Sequence, residues 1–244
     1  MYAEGWVKTL KSILFFFKNT SIDKFFFVNN YYGNGYYANF GKKTMVSLVI
    51  LIITVVISLM AFNNSNLMYR FIFNPYRIKR EGEWYRFWSA GFIHADYAHL
   101  GFNMLAFYSF GRYVEQVFNV AMGTKGLVVY VLLYLLGMGF SHIFSYFKYQ
   151  DNPHYNALGA SGAVSAVIFS SIILSPRSEI YFYFIPIKAY IFGPLYLAMS
   201  AYLSRQGSDN IGHDAHFSGA IFGLLFTLIV VPNSWELFRM QIGF

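Results

Sequence analysis

From Met45 to Phe62 the chain reads MVSLVILIITVVISLMAF, 18 residues without a single charge. As a helix this run rises about 27 Å, close to the ~30 Å hydrocarbon core of a bilayer. It reads as a membrane span. Five more apolar runs follow, roughly Tyr97–Phe110, Leu127–Tyr146, Gly159–Leu174, Ile187–Leu203 and Gly212–Val231. Only 12% of the 244 residues are charged, against about 25% in a soluble domain. Too few charges remain to solvate a surface, so the chain is expected to be an all-α polytopic membrane protein with six spans. The second and fourth runs are short for a full crossing. Both open with polar residues, which puts those ends in a wet, protein-lined region.

Composition also excludes several chemistries. The absence of cysteine removes disulfides, thiol nucleophiles and thiolate metal sites. The net charge of +7 is spread between the apolar runs, which suits topology and lipid contact and gives no nucleic-acid face. No cleavable signal is expected, because Glu4, Lys8 and Lys11 interrupt the start.

Residues 1–41 form an amino-terminal segment, and 42–244 the membrane domain. In the first, Trp6, Leu10, Ile13, Leu14 and Phe17 share one helical face, which fits a basic helix on the membrane surface and equally a small soluble packing element. Asn29–Gly41 reads as a linker. A cytoplasmic amino terminus places eleven Lys and Arg inside and seven outside, accounting for all 18. That orientation is the expected one. The first loop, Asn63–His94, is basic for an external segment and is expected to have structure of its own.

Polar residues then fall into a pattern. The second span opens with His94, His99 and Asn103, the fourth with Ser161, and the sixth with His213, Asp214 and His216. Even-numbered spans enter from one side of the membrane, so these groups share a depth. Buried polar groups in lipid are costly and collect where they partner one another. Gly162, Ala166 and Ser170 repeat every four residues, as do Ala215, Gly219 and Gly223. Such stripes let two helix backbones approach closely. Facing stripes would set Ser161 beside His216, the pairing of an activated nucleophile.

Each feature has a plainer explanation. A serine in a membrane helix commonly bonds back to its own backbone. Small-residue stripes pack helices, and His99 and Asn103, four apart on one face, can tie helices together. Asp214 points away from His216, His213 suits the membrane surface, and His142 and His154 suit interface and loop. Shared depth, parity and chemistry together favour a site.

These residues resemble the rhomboid family of intramembrane serine proteases. Gly159-Ala160-Ser161-Gly162 matches its GxSG motif, and Ala215-His216 through Gly219 to Gly223 its AHxxGxxxG motif. His94, His99 and Asn103 match its second-helix pattern. The resemblance spans about Lys42 to Val231. It implies a six-helix rhomboid-like bundle, Ser161 as nucleophile and His216 as general base, with no acid. His99, Asn103 and the Ser161 N–H would hold the oxyanion. His94, Gly159, Gly162, Gly219 and Arg86 would support the site. The family's first-loop Trp-Arg pair survives only as Arg86, since Tyr85 precedes it. Some relatives carry an aromatic residue four places after the nucleophile, packed on the histidine. Here Ser165 stands there, so something else must orient His216.

The expected function is cleavage of transmembrane protein substrates within the bilayer, near the external face, without cofactor or metal. A bacterial cytoplasmic membrane is the expected location. The alternatives are a catalytically inactive relative that binds transmembrane segments, and a haem or metal protein using His94, His99 and His216. The Gly-Ala-Ser-Gly order has no purpose in the latter.

Overall fold

The computed structural model describes residues 45–182, 185–206 and 212–243. Segment 1–41, with its expected surface helix and linker, lies outside them. The first apolar run folds as α1, Val46–Phe62, and the loop after it carries three short helices: α2 (Ser65–Phe71), α3 (Pro75–Glu81) and α4 (Arg86–Ser89). A 3-10 turn, Ala90–Phe92, leads into α5, Tyr97–Met122. Then come α6 (Thr124–Ser141), α7 (Ile143–Tyr149) and α8 (Ser161–Leu174). Strands β1 (Glu179–Phe182) and β2 (Ile185–Lys188) precede α9 (Ala189–Gln206), α10 (His213–Val230) and α11 (Ser234–Ile242).

Local chemistry sets several of these boundaries. Asn74 caps α3 by accepting the Arg77 N–H at 2.9 Å, Pro75 fits the first turn, and Gly82 at φ 72° ends it. Asp96 caps α5 by accepting the His99 N–H at 2.7 Å. Helix α1 has no cap of its own. Its free N–H groups at Val46 and Ser47 donate instead to the Glu115 carboxylate of α5, at 2.8 and 2.9 Å. Ser47 Oγ also reaches Glu115 and the Tyr130 hydroxyl, which binds α1, α5 and α6 at one buried point.

Helix α8 sits in the middle of the bundle, against α5, α6 and, most closely, α10. The small-residue stripes explain the closeness. A methyl group on Gly219 would overlap the carbonyl of Gly162, and one on Gly223 would overlap that of Ala166. Aromatic and branched side chains, among them Phe107, Tyr130, Tyr134 and Val167, fill the layer around this contact. Outward faces are apolar: Phe102, Leu136, Leu195 and Leu225 are exposed, and Ile229 is 80% exposed. In water such faces would be a liability, whereas in lipid they are solvated.

Two expectations change. The fold is predominantly helical rather than all-α, because the β-branched and aromatic run Glu179–Lys188 forms an antiparallel hairpin with Glu179 opposite Lys188. Second, α5 is 26 residues long, well past Phe110. Its charges are satisfied internally, Arg112 by the Tyr108 hydroxyl at 2.9 Å and Glu115 by the start of α1. Among the described residues, two helical stretches, Thr124–Tyr149 and His213–Val230, are long and apolar enough to cross a membrane, while α1 and α8 are shorter apolar helices. The basic first loop is folded, as expected.

Candidate active site

The segment that delivers Ser161 to the start of α8 is held by the first loop, residue by residue. Arg86 is buried and acts as the loop's hub. Its Nε donates to Glu83 at 2.6 Å, and its Nη1 to the carbonyls of Tyr69 and Ile72 at 2.9 and 2.6 Å. That fixes the chain up to Phe73, which pairs with Ala157 through two backbone bonds of 2.9 and 3.0 Å. Two residues on, the Gly159 N–H donates to the Ala90 carbonyl at 2.9 Å. The Ala160 N–H donates to His94 Nε2 at 3.3 Å. His94 therefore bonds the backbone immediately ahead of Ser161, while Arg86 holds the loop strand that pairs with it through Phe73.

His94 lies in the loop before α5 and is fully buried. Since Nε2 accepts a backbone N–H, the proton is assigned to Nδ1, which faces Ser58 Oγ at 2.9 Å. Ser58 Oγ in turn donates to the Phe92 carbonyl at 2.9 Å. Burial, with His99 beside it, pushes the His94 pKa down to about 3. The ring is a neutral structural link. Both nitrogens are occupied, which leaves neither for a metal or haem.

Gly159 has φ +113°, a conformation that side chains rarely tolerate. A Cβ there would also lie 2.7 Å from His99 Cε1 and 2.9 Å from its Nε2. The position needs glycine twice over. The His99 ring thus covers the turn into Ser161. Its Nδ1 faces the Ala95 N–H at 3.5 Å, which assigns the remaining proton to Nε2, on the Gly159 side. One turn further along α5, Asn103 is buried and one of its amide N–H bonds goes to the His99 carbonyl at 2.9 Å. Its second N–H bond is left over.

Ser161 is the first residue of α8 and is half-buried. Among the described residues its hydroxyl takes part in no hydrogen bond, and no side chain caps the helix. The first-turn N–H groups there lack intrahelical acceptors, so the helix end favours negative charge. Gly162 packs against Ser141 of α6, and a methyl group on it would also lie 3.4 Å from the Ala215 carbonyl of α10. Ser161 precedes Gly162 and His216 follows Ala215, so the two residues stand at matched levels of the touching helices.

His216 is half-buried. The Tyr196 ring of α9 stacks on it, with centroids 6.4 Å apart and planes 28° off parallel. His213, expected at the membrane surface, is instead buried and meets His216 edge-on at 5.9 Å. Asp214 turns away, as expected, to Lys148 at 3.1 Å and to Ser204. His142 is buried against Phe73 in a parallel stack at 4.3 Å, and His154 is exposed in a loop. The sequence reading missed Ser58 and Tyr196. The serine at 165 signalled that a partner for His216 was missing, but nothing in the chain named α9 as its source.

A family model described as "Rhomboid domain" matches residues 81–233, more than half of the chain. The chain is 27% identical to "RHOMBOID-like protein 12, mitochondrial" of Arabidopsis thaliana over 73% of its own length and 56% of that protein's. It is 26% identical to "Rhomboid protease AarA" of Providencia stuartii, covering 66% of this chain and 61% of the relative. To "Rhomboid protease GlpG" of Haemophilus influenzae it is 25% identical, covering 78% and 91%. The chain thus spans little more than half the length of the first two relatives. Mitochondrial and bacterial names both occur among them, which gives the expected bacterial location no support.

Proposed function

Because this chain belongs to the rhomboid family, an integral-membrane family that includes proteases acting on transmembrane substrates, we propose that it is an intramembrane serine endopeptidase. In this reading residues 42–244 form one membrane domain whose six spans are α1, α5, α6, α8, α9 and α10. Ser161 is the nucleophile and His216 the general base. The supporting observation is the glycine contact between α8 and α10, which sets the first turn of one helix beside that of the other.

The reaction follows from these groups. His216 takes the hydroxyl proton as Ser161 Oγ attacks the scissile carbonyl, and the two come within about 2.6–3.2 Å once substrate is bound. The carbonyl oxygen becomes an anion. Hydrogen-bond donors for it are the Ser161 N–H at the helix start, His99 Nε2–H and the second Asn103 N–H. Each such donor is worth about 2.7–4 kcal/mol in a transition state. His216 then passes its proton to the departing amine. Water, deprotonated by the same ring, releases the acyl group and restores Ser161. A dyad without a carboxylate suits the setting, since a buried unpaired charge costs several kcal/mol.

The test uses purified protein in vesicles with a single-span substrate, the products being mapped by mass spectrometry. Cleavage by the wild type and none by Ser161→Ala supports the proposal. Substrate held equally by both, with no product from either, replaces it with the non-cleaving alternative.

A further inference from the structure

His216 rests on an aromatic ring, but the ring comes from an unexpected helix. Four residues after Ser161 on α8 stands Ser165, which is buried. Its hydroxyl forms a 2.7 Å hydrogen bond with the hydroxyl of Tyr196 on α9. Tyr196 therefore reaches across to the position on α8 that lacks a ring, and lays its own ring on His216. It is held there from two further sides, by Phe169 of α8 and Phe192 of α9, each at 5.6 Å. The centroid separation from His216 lies within the usual range for offset aromatic pairs.

We infer that Tyr196 is a positioning residue for His216, fixed by Ser165, so that α9 supplies the aromatic wall that orients the base. This rests on the dyad proposed above. It has a mechanical consequence. Helix α9 carries exposed Leu195, Met199 and Tyr202 on its lipid side and an internal proline, Pro194, which costs it a backbone hydrogen bond. A displacement of α9 away from α8 would lift Tyr196 from His216 and misalign the base. Base orientation is thereby coupled to the seating of α9.

The experiment measures kcat and KM for the full chain in vesicles. Tyr196→Leu removes the ring. Its expected effect is a fall in kcat of about two- to tenfold at unchanged KM, an aromatic pair's worth converted to rate. Tyr196→Phe and Ser165→Ala both remove only the hydroxyl link, and are expected to match each other and to lose less than Tyr196→Leu. Adding Ser165→Tyr to Tyr196→Leu returns a ring from α8 and is expected to recover most of the lost kcat. Wild-type kcat in Tyr196→Leu overturns the inference, and so does a loss in Tyr196→Phe as large as that in Tyr196→Leu. A deficit that appears as a lowered unfolding temperature without recovery in the double variant also overturns it. Ser161→Ala, run alongside, reports on the dyad itself: cleavage that survives it removes the protease reading, whatever Tyr196 does.

Discussion

Gly219 faces the carbonyl of Gly162 so closely that one added methyl group would overlap that oxygen. Two helices that touch through their backbones leave no room for adjustment by side-chain rotation, so their relative height and rotation are fixed. Ser161 and His216 inherit that precision, each lying within three residues of the contact.

Replacing Gly219 by Ala is therefore expected to push α10 off α8. Overpacking of this kind costs about 1–3 kcal/mol. The activity loss should be larger than the stability loss suggests, because a misplacement of about 1 Å can cost about 100-fold in rate. Unfolding temperature in detergent and cleavage rate in vesicles measure the two effects separately.

Arg86 lies far along the chain from Ser161 yet controls the segment before it. Arg86→Ala strands the carbonyls of Tyr69 and Ile72 and leaves the Glu83 carboxylate to Arg77 alone. Bonds to charged groups are worth about 1.5–3 kcal/mol each, so a large fall in unfolding temperature is expected. Arg86→Lys should rescue little, because a single ammonium cannot reproduce the fork that serves three acceptors.

Glu115 is fully buried and serves as the cap that α1 lacks. Glu115→Ala leaves the Val46 and Ser47 N–H groups unpaired in an apolar layer. A loss of about 2 kcal/mol or more is expected, with earlier exchange of the α1 amides than of those in α8 by hydrogen exchange.

His94 gives a pH dependence with a definite sign. Its folded pKa, near 3, lies below the ordinary 6.5, so between those values the unfolded chain binds more protons. Its contribution to stability is complete above pH 6.5 and is lost as pH falls toward 3. Protonation would also displace the Ala160 N–H from Nε2. Unfolding temperature measured from pH 7.5 down to 4.5 should fall more steeply for the wild type than for His94→Asn.

Much of this was legible in the chain because the site is built from sequence-local motifs on separate helices. The glycine spacing at Gly162, Gly219 and Gly223 announces a close helix contact, which α8 and α10 make. What escaped notice depends on tertiary contacts. Tyr196 is one aromatic residue among many on α9, and only the fold shows which one meets His216. The extension of α5 past Phe110 was hidden because Arg112 and Glu115 look like the end of a span until their partners, Tyr108 and the start of α1, are seen. The hairpin was missed because an aromatic, β-branched run beside a span reads equally well as its continuation.

The decisive measurement is labelling of the purified full-length protein by a fluorophosphonate, which reacts only with an activated serine. If Ser161 and His216 work as a pair, the wild type is labelled at Ser161 and labelling disappears in both Ser161→Ala and His216→Ala. Labelling that persists in His216→Ala, or that maps to another serine, contradicts the pairing.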